Sequence, residues 1–354
     1  MPHTNLADSG FAGAPAMRVL IIDDSVVARS VLGRMVEGTR RFAVAGAFSD
    51  VSAALSWLEK NRVDAILLDI EMPGIDGLTA LPDILLASRG AKVMVVSSSA
   101  DDGAAVSVQA LALGAADTLV KPGIGAFGGR FAEVLEERLS KLFDAPIDAR
   151  PKSAGYSVIT APRDFDLVAI GASTGGIHAL SQFLRAIPAS FQVPILVTQH
   201  LPSSFMSYFA AQLAVLGGRP CEVATDRMRI RPGRIIVAPG DAHMGVVRTS
   251  DGAAIKLTHE KAPSGCMPSV DPMFESVAEV FGKRAVGVVL SGMGRDGCEG
   301  AADMIDSGAR VLVQDQASSV VWGMPGAIAN AGRASAVLPP DEIGRLVAGR
   351  GGRA

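Results

Sequence analysis

The sequence predicts two α/β domains in tandem, each an open, mostly parallel sheet covered by helices on both faces. Three observations carry that prediction. The chain has 354 residues, too long for one ordinary domain and right for two. Short apolar runs of strand length alternate with helix-length stretches through most of it, the pattern of a parallel sheet with crossover helices. The alternation breaks once, over residues 144–163, where Pro146, Pro151 and Pro162 stand in a stretch with little apolar periodicity.

The elements follow in order. Residues 1–16 read as a flexible tail of small residues, without the basic and apolar regions of a signal peptide. Strand-like runs then fall at Arg18–Ile22, Val44–Phe48, Ala65–Leu68, Lys92–Val96 and Thr118–Val120. Helix-length stretches lie between them, at Ser25–Gly38, Val51–Asn61 and Gly103–Leu113. Phe131–Leu142 has apolar residues at 131, 134, 135, 139 and 142, the spacing of an amphipathic closing helix. The first domain is therefore 17–143, and 144–163 is an extended connector. The second domain is 164–348, with apolar runs at Leu167–Ile170, Pro194–Thr198, Arg234–Ala238, Ala285–Leu290 and Arg310–Val313. A short tail, 349–354, ends the chain.

Composition narrows the function. Hydrophobic residues make up 49% and charged residues 19%, enough for sizeable cores, and the formal net charge of −3 gives no support for nucleic-acid binding. No apolar run reaches the roughly 18 residues of a spanning helix, so membrane insertion is not expected. Cys221, Cys266 and Cys298 are odd in number and far apart, which speaks against a disulfide framework and for the cytoplasm. The expected state is a monomer.

Carboxylates gather in the first domain. Asp23 and Asp24 follow its first strand and Asp69 its third, while Ser97 follows the fourth and Lys121 the fifth. In an open parallel sheet these strand ends meet at one rim. Aspartates after strands are also common helix caps, and a lone Lys-Pro is commonly a turn. Five such residues at four strand ends, in this order, are harder to explain as capping. Packed carboxylates repel unless a hard cation neutralises them, and few oxygen ligands suit Mg²⁺. A hydroxyl and an ammonium at the same rim complete a phosphoryl-acceptor site in which Asp69 attacks.

These residues, with Met72-Pro73-Gly74-x-Asp76-Gly77 and Lys121-Pro122, resemble the receiver domain of two-component response regulators. The resemblance implies a flavodoxin-like fold with Asp69 as the phosphorylated residue and Ser97 and Lys121 as its switch partners. It implies that Asp24, with Asp23 through water, holds Mg²⁺ beside Asp69 and the backbone carbonyl of Glu71. Thr118 departs from the pattern, since many receivers carry an aromatic residue there.

In the second domain, Gly171-Ala-Ser173-Thr-Gly175 follows a strand and opens a helix. This spelling puts a serine on a sharp turn, either as a nucleophile or as part of a phosphate cradle. A nucleophilic serine needs a base and an orienting acid. Among five histidines, His3 lies in the tail, His178 lies one turn into the helix, and His259 lies in a polar surface stretch. His243 follows a strand and can line a pocket. His200 ends the strand after Ser173's own crossover and is the best-placed base. Asp296 stands in the Gly-rich loop Ser291–Gly297 and is the candidate acid. The order Ser, His, Asp excludes the α/β-hydrolase arrangement.

Gly171–Gly176, Gln199-His200-Leu-Pro202, Ala238-Pro-Gly-Asp241 with His243-Met244, Pro268–Asp271, Gly292–Gly297 and Gln314–Pro325 together resemble the catalytic domain of chemotaxis protein-glutamate methylesterases. The resemblance implies Ser173 as nucleophile, His200 as base and Asp296 as its partner. Independently of it, the N–H groups around Thr174 or Met293 are the expected oxyanion donors. The resemblance also implies hydrolysis of glutamate methyl esters and deamidation of glutamines on methyl-accepting chemotaxis receptors, and a chemotaxis histidine kinase as phosphodonor. No cofactor is expected for the esterase reaction. Met267, Gln316 and Trp322 depart from the family pattern. A nucleotide-binding output domain is the second reading, but the loop lacks the Lys-Ser/Thr of a P-loop. A non-catalytic adaptor is the third.

Overall fold

The computed structural model describes residues 15–97, 102–121, 129–143 and 165–349. The connector and nearly all of both tails lie outside these residues, as does Pro122.

The N-terminal part runs β1 (Met17–Ile22), α1 (Val26–Gly38), β2 (Phe42–Phe48), α2 (Val51–Leu58), β3 (Ala65–Asp69), α3 (Gly77–Ser88), β4 (Lys92–Ser97), α4 (Asp102–Leu113), β5 (Asp117–Val120) and α5 (Gly129–Phe143). Its five strands are parallel in the order β2-β1-β3-β4-β5, the flavodoxin-like arrangement. Every residue of β3 is buried, which is why Ala65–Leu68 reads as an unbroken apolar run. Ser25, Asp50 and Asp76 each cap the helix that follows through a side-chain oxygen. The second helix stops at Leu58, three residues before the expected Asn61, because the Asn61 amide turns back to the carbonyl of Trp57.

The C-terminal part runs β6 (Leu167–Ala172), α6 (Gly176–Arg185), β7 (Ile195–Gln199), α7 (Ser203–Gly217), β8 (Cys221–Val223), β9 (Ile235–Val237), β10 (His243–Thr249), β11 (Gly252–Thr258), α8 (Val270–Phe281), β12 (Ala285–Val289), α9 (Cys298–Asp306), β13 (Arg310–Gln314), α10 (Met324–Asn330), β14 (Ala336–Leu338) and α11 (Pro340–Ala348). Seven strands form a parallel sheet in the order β14-β13-β12-β6-β7-β9-β8. Strand order reverses at β6, which pairs with β12 on one side and β7 on the other. Ligand sites form at the carboxyl ends of strands beside such a reversal. The antiparallel hairpin β10–β11 is an addition to the expected parallel architecture. Its second strand buries only Ala254 and Ile255 and exposes Lys256, so, with Thr258 and His259 after that lysine, it reads as a polar stretch.

The two parts pack together. Helix α4 lies against α6 and α7. Val108 and Ala112 share one apolar cluster with Ile177 and Leu180, and Leu139 and Leu142 share another with Val321. Burial of these aliphatic side chains drives the docking. It brings the β5–α5 side of the N-terminal sheet over the carboxyl ends of β6 and β7.

Candidate active site

Backbone pairing fixes where the three expected side chains meet. Gly171 pairs with Thr198 and Val289, so β6, β7 and β12 end at one level. Ser173 follows β6, His200 follows β7, and Asp296 stands in the loop after β12. The Ser173 amide donates to the Ser291 carbonyl (3.0 Å), and the His200 amide donates to the Ala172 carbonyl (3.2 Å). The Ser173 carbonyl accepts from Gln199 Nε2 at 2.8 Å and from the Gly176 amide at 2.8 Å. The turn is thus tied to both neighbouring strand ends. Gly175 has φ +76°, and a Cβ there would stand 2.5 Å from Val320 Cβ, so the tight turn requires glycine. Gly292 is required for a different reason: a Cβ would come within 3.0 Å of Ser173 Cβ.

His200 and Asp296 form a pair. Nε2 of His200 lies 2.7 Å from Asp296 Oδ2. Asp296 is 2% exposed and accepts two further bonds, from the Ser269 hydroxyl to Oδ1 (2.6 Å) and from the Val270 amide to Oδ2 (2.7 Å). Burial alone would raise its pKa, but these donors and His200 hold the carboxyl down at about 2. Burial likewise disfavours a charged His200, yet the hydrogen bond to Asp296 and the nearby Cys266 outweigh it and push the imidazole up to about 9. Asp271, whose carboxylate accepts from the Gly300 amide, is pushed up to about 6, first by burial and then by its neighbour Asp296.

Ser173 and His200 line one cavity of about 310 Å³. The N-terminal sheet and its helices supply the other wall, through Leu111, Asp117, Glu137, Arg138 and Lys141. Arg138 bridges both Asp117 carboxylate oxygens at 2.9 and 3.0 Å and the Thr118 carbonyl at 2.8 Å. No hydrogen bond joins the Ser173 hydroxyl to His200 among the described residues. With Nε2 engaged by Asp296, Nδ1 is the ring nitrogen left for it, and such contacts often tighten only with substrate bound.

The remaining expectations sort as follows. Thr174 lines the cavity, whereas Met293 does not and packs instead against the apolar cluster that holds Val321. His178 points to the N-terminal part, its Nδ1 donating to the Ala112 carbonyl at 3.2 Å. His243 is buried rather than pocket-lining: its Nδ1 accepts from the Ser269 amide (2.9 Å) and its Nε2 donates to the Glu260 carbonyl (2.7 Å). Ser269 and Cys266 were not foreseen. The Pro268–Asp271 motif marks that segment, but nothing in it says that Ser269 reaches Asp296.

At the rim of the N-terminal sheet, one carboxylate oxygen from each of Asp23, Asp24 and Asp69 lies within 4.8 Å of the others. Lys121 Nζ lies 2.7 Å from Asp23 Oδ2 and 2.8 Å from Asp69 Oδ2. Burial raises the pKa of Asp69 despite the lysine, while the two carboxylates raise that of Lys121 despite burial. Asp23, Asp69 and Ser97 are buried and Asp24 is exposed. Three hard oxygen donors with one open side fit Mg²⁺.

A receiver-like domain whose α4, β5 and α5 wall the cavity above a Ser–His–Asp rim, with its own carboxylate rim at the other end of its sheet, defines a receiver-coupled hydrolase. Residues 168–347 match the CheB methylesterase family, and residues 19–125 match the response regulator receiver domain family. The protein-glutamate methylesterase/protein-glutamine glutaminase 2 of Caulobacter vibrioides is 41% identical, the match covering 94% of this chain and 99% of that one. Protein-glutamate methylesterase/protein-glutamine glutaminase 1 of Paramagnetospirillum magneticum is 38% identical, covering 95% and 96%. The Thermotoga maritima CheB methylesterase catalytic domain matches with a TM-score of 0.50 and 32% identity, over 52% of this chain and 98% of that one. The chain belongs to the protein-glutamate methylesterase/protein-glutamine glutaminase family, with a receiver domain ahead of the methylesterase domain.

Proposed function

We propose that this chain hydrolyses glutamate methyl esters, and deamidates glutamines, on methyl-accepting chemotaxis receptors in the cytoplasm, under control of phosphorylation at Asp69 by a chemotaxis histidine kinase. The division is a receiver at 17–143, a linker at 144–163 and a catalytic domain at 164–348. The observation that carries the reading is the His200–Asp296 pair beside Ser173 in a cavity roofed by receiver residues.

Ser173 attacks the γ-carbonyl carbon of the ester. His200, through Nδ1, takes the serine proton and returns it to the departing methanol. Asp296 holds the ring through Nε2 and balances the charge of the imidazolium. Water then attacks the acyl-enzyme with His200 again as base, leaving the glutamate carboxylate and free Ser173. Thr174, at the positive end of α6, is the better placed of the two expected oxyanion donors. Base catalysis of this kind contributes about 10²–10⁴-fold. In glutamine substrates the same steps release ammonia.

Asp23, Asp24, Asp69 and the Glu71 carbonyl would hold Mg²⁺, which neutralises charge as the phosphoryl group arrives. A phosphoryl group on Asp69 adds about −1.5 to −2 charges at pH 7. Lys121, already 2.8 Å from Asp69, is drawn to it. Ser97 and Lys121 flank α4 and β5 in sequence, and these elements carry Leu111, Ala116 and Asp117 to the cavity wall. Phosphorylation therefore loosens the wall and admits the receptor helix.

The test is methanol release from methylated receptor membranes. Wild type should release it, faster with a small phosphodonor and Mg²⁺. Ser173→Ala should not, and Asp69→Ala should retain basal release without stimulation. Undiminished release by Ser173→Ala would refute the mechanism, and equal stimulation of Asp69→Ala would refute the control.

A further inference from the structure

Cys266 brings a third kind of donor to the His200–Asp296 pair. One ligand atom from each of His200, Cys266 and Asp296 lies within 4.8 Å of the other two. The three come from separate elements: the end of β7, the loop before α8 and the loop after β12. Cys266 is held in place rather than left on a loose loop. Its amide donates to Ser264 Oγ (3.3 Å), and that hydroxyl lies 3.3 Å from Ser269 Oγ, which itself bonds Asp296. The sulfur is half-buried and the imidazole 16% exposed, so the cluster is open to solvent.

Donor chemistry separates this cluster from the acidic one in the receiver. Three carboxylates select a hard cation, whereas imidazole, thiolate and carboxylate select a soft or borderline one. Three protein ligands with a free fourth position are a Zn²⁺ pattern. We propose that His200, Cys266 and Asp296 form an inhibitory site for Zn²⁺ and similar thiophilic divalent cations. Binding releases the thiol proton to solvent, leaving a metal–thiolate bond. The cation also displaces the Nε2 proton shared between His200 and Asp296, which leaves the imidazolium for solvent, while the other ring proton stays on Nδ1. His200 is then committed to the metal and cannot accept the Ser173 proton. Inhibition rests on His200 being the base, while the site itself rests only on the geometry.

The experiment uses the full chain with saturating Mg²⁺ to occupy the acidic cluster. Zn²⁺ should inhibit methanol release, a chelator should restore it, and Cys266→Ser should weaken the inhibition by about tenfold or more. Co²⁺ in place of Zn²⁺ should give a thiolate-to-metal charge-transfer band in wild type and Ser173→Ala and none in Cys266→Ser. If Cys266→Ser fails to fold, alkylation mapping of the wild type serves instead, with Zn²⁺ protecting Cys266 and sparing reaction at Cys221. Equal Zn²⁺ inhibition of wild type and Cys266→Ser overturns the proposal, as does a charge-transfer band that survives the substitution or alkylation of Cys266 unaffected by Zn²⁺. A Cys266-dependent band with no inhibition keeps the site and overturns the assignment of His200 as base.

Discussion

His178 Nδ1 donates to the carbonyl of Ala112 across 3.2 Å, joining the helix that opens just after Ser173 to the last turn of receiver helix α4. The imidazole also meets Gln182 at 3.0 Å through Nε2, so it is held from both sides. Docking of the receiver is thereby reported directly to the turn that carries the serine. One hydrogen bond of this kind is worth about 1 kcal/mol, roughly a fivefold change in an equilibrium constant. His178→Ala should therefore raise basal methanol release of the unphosphorylated protein about fivefold and lower the stimulation by phosphodonor in proportion. The ratio of stimulated to basal rate is the measurement. An unchanged ratio would mean that the contact does not report on docking.

A base must be neutral to act, and Asp296 and Cys266 hold the His200 proton up to about 9. Measured with a chelator present, kcat/KM of the docked enzyme should climb with pH and level off only above about 9. Ser173→Ala supplies the background for alkaline ester hydrolysis. Cys266→Ala removes one group that favours the cation, so the midpoint should move down. The sign for stability is opposite. A raised folded-state pKa means that the imidazolium–Asp296 pair stabilises the fold fully below about 6.5 and loses that contribution as pH passes about 9. A wild-type kinetic midpoint at the ordinary histidine value would contradict this account.

The carboxyl ends of strands were legible because Asp23, Asp69, Ser97 and Lys121 directly follow an apolar run, and Ser173 and His200 stand within three residues of one. The pairing of His200 with Asp296 was legible only as two residues able to reach one rim. What held Asp296 was not legible, because Ser269 lies 27 positions away and its hydroxyl looks like any helix cap. His243 is misleading in the same way. It follows a strand and looks like a pocket residue, yet both its nitrogens serve the backbone behind the site. The hairpin β10–β11 was hidden because its buried apolar side chains, Met244, Val246, Ala254 and Ile255, stand among Arg248, Thr249, Lys256 and Thr258 and form no apolar run of strand length.

Ser269 offers a sharp separation of positioning from binding. Its hydroxyl donates to Asp296 Oδ1 at 2.6 Å, and it lies behind the carboxylate, away from the residues that line the cavity. A hydrogen bond to a charged group is worth about 1.5–3 kcal/mol. Ser269→Ala should lower kcat about 10- to 100-fold with KM little changed, and Ser269→Thr, which keeps the hydroxyl, should recover part of the rate. Loss of the donor lets the Asp296 pKa rise, and the carboxylate, still ionised where His200 titrates, becomes the stronger acceptor, so the pH midpoint shifts up. A large KM change with an unaltered pH profile would show that Ser269 shapes the substrate site instead.

Lys92 ties the receiver to the catalytic domain at a second point. Its ammonium donates to the Leu142 carbonyl at 2.6 Å and to the Val320 carbonyl, and it stands 5.4 Å from the centre of the Phe143 ring. Burial lowers its pKa, so the charge is retained by these partners rather than by water. Val320 packs where a Cβ on Gly175 would stand, so this tie also bears on the serine turn. Lys92→Met keeps the aliphatic stem and removes both bonds, and it should raise basal release at least about tenfold. Because Lys92 and His178 bias the same docked–undocked equilibrium from different elements, the double variant should multiply their effects until the receiver is fully displaced. The rate should then stop rising at the value reached by phosphorylated wild type. A double variant that exceeds that ceiling would show that the two residues restrain chemistry in the open enzyme, not docking.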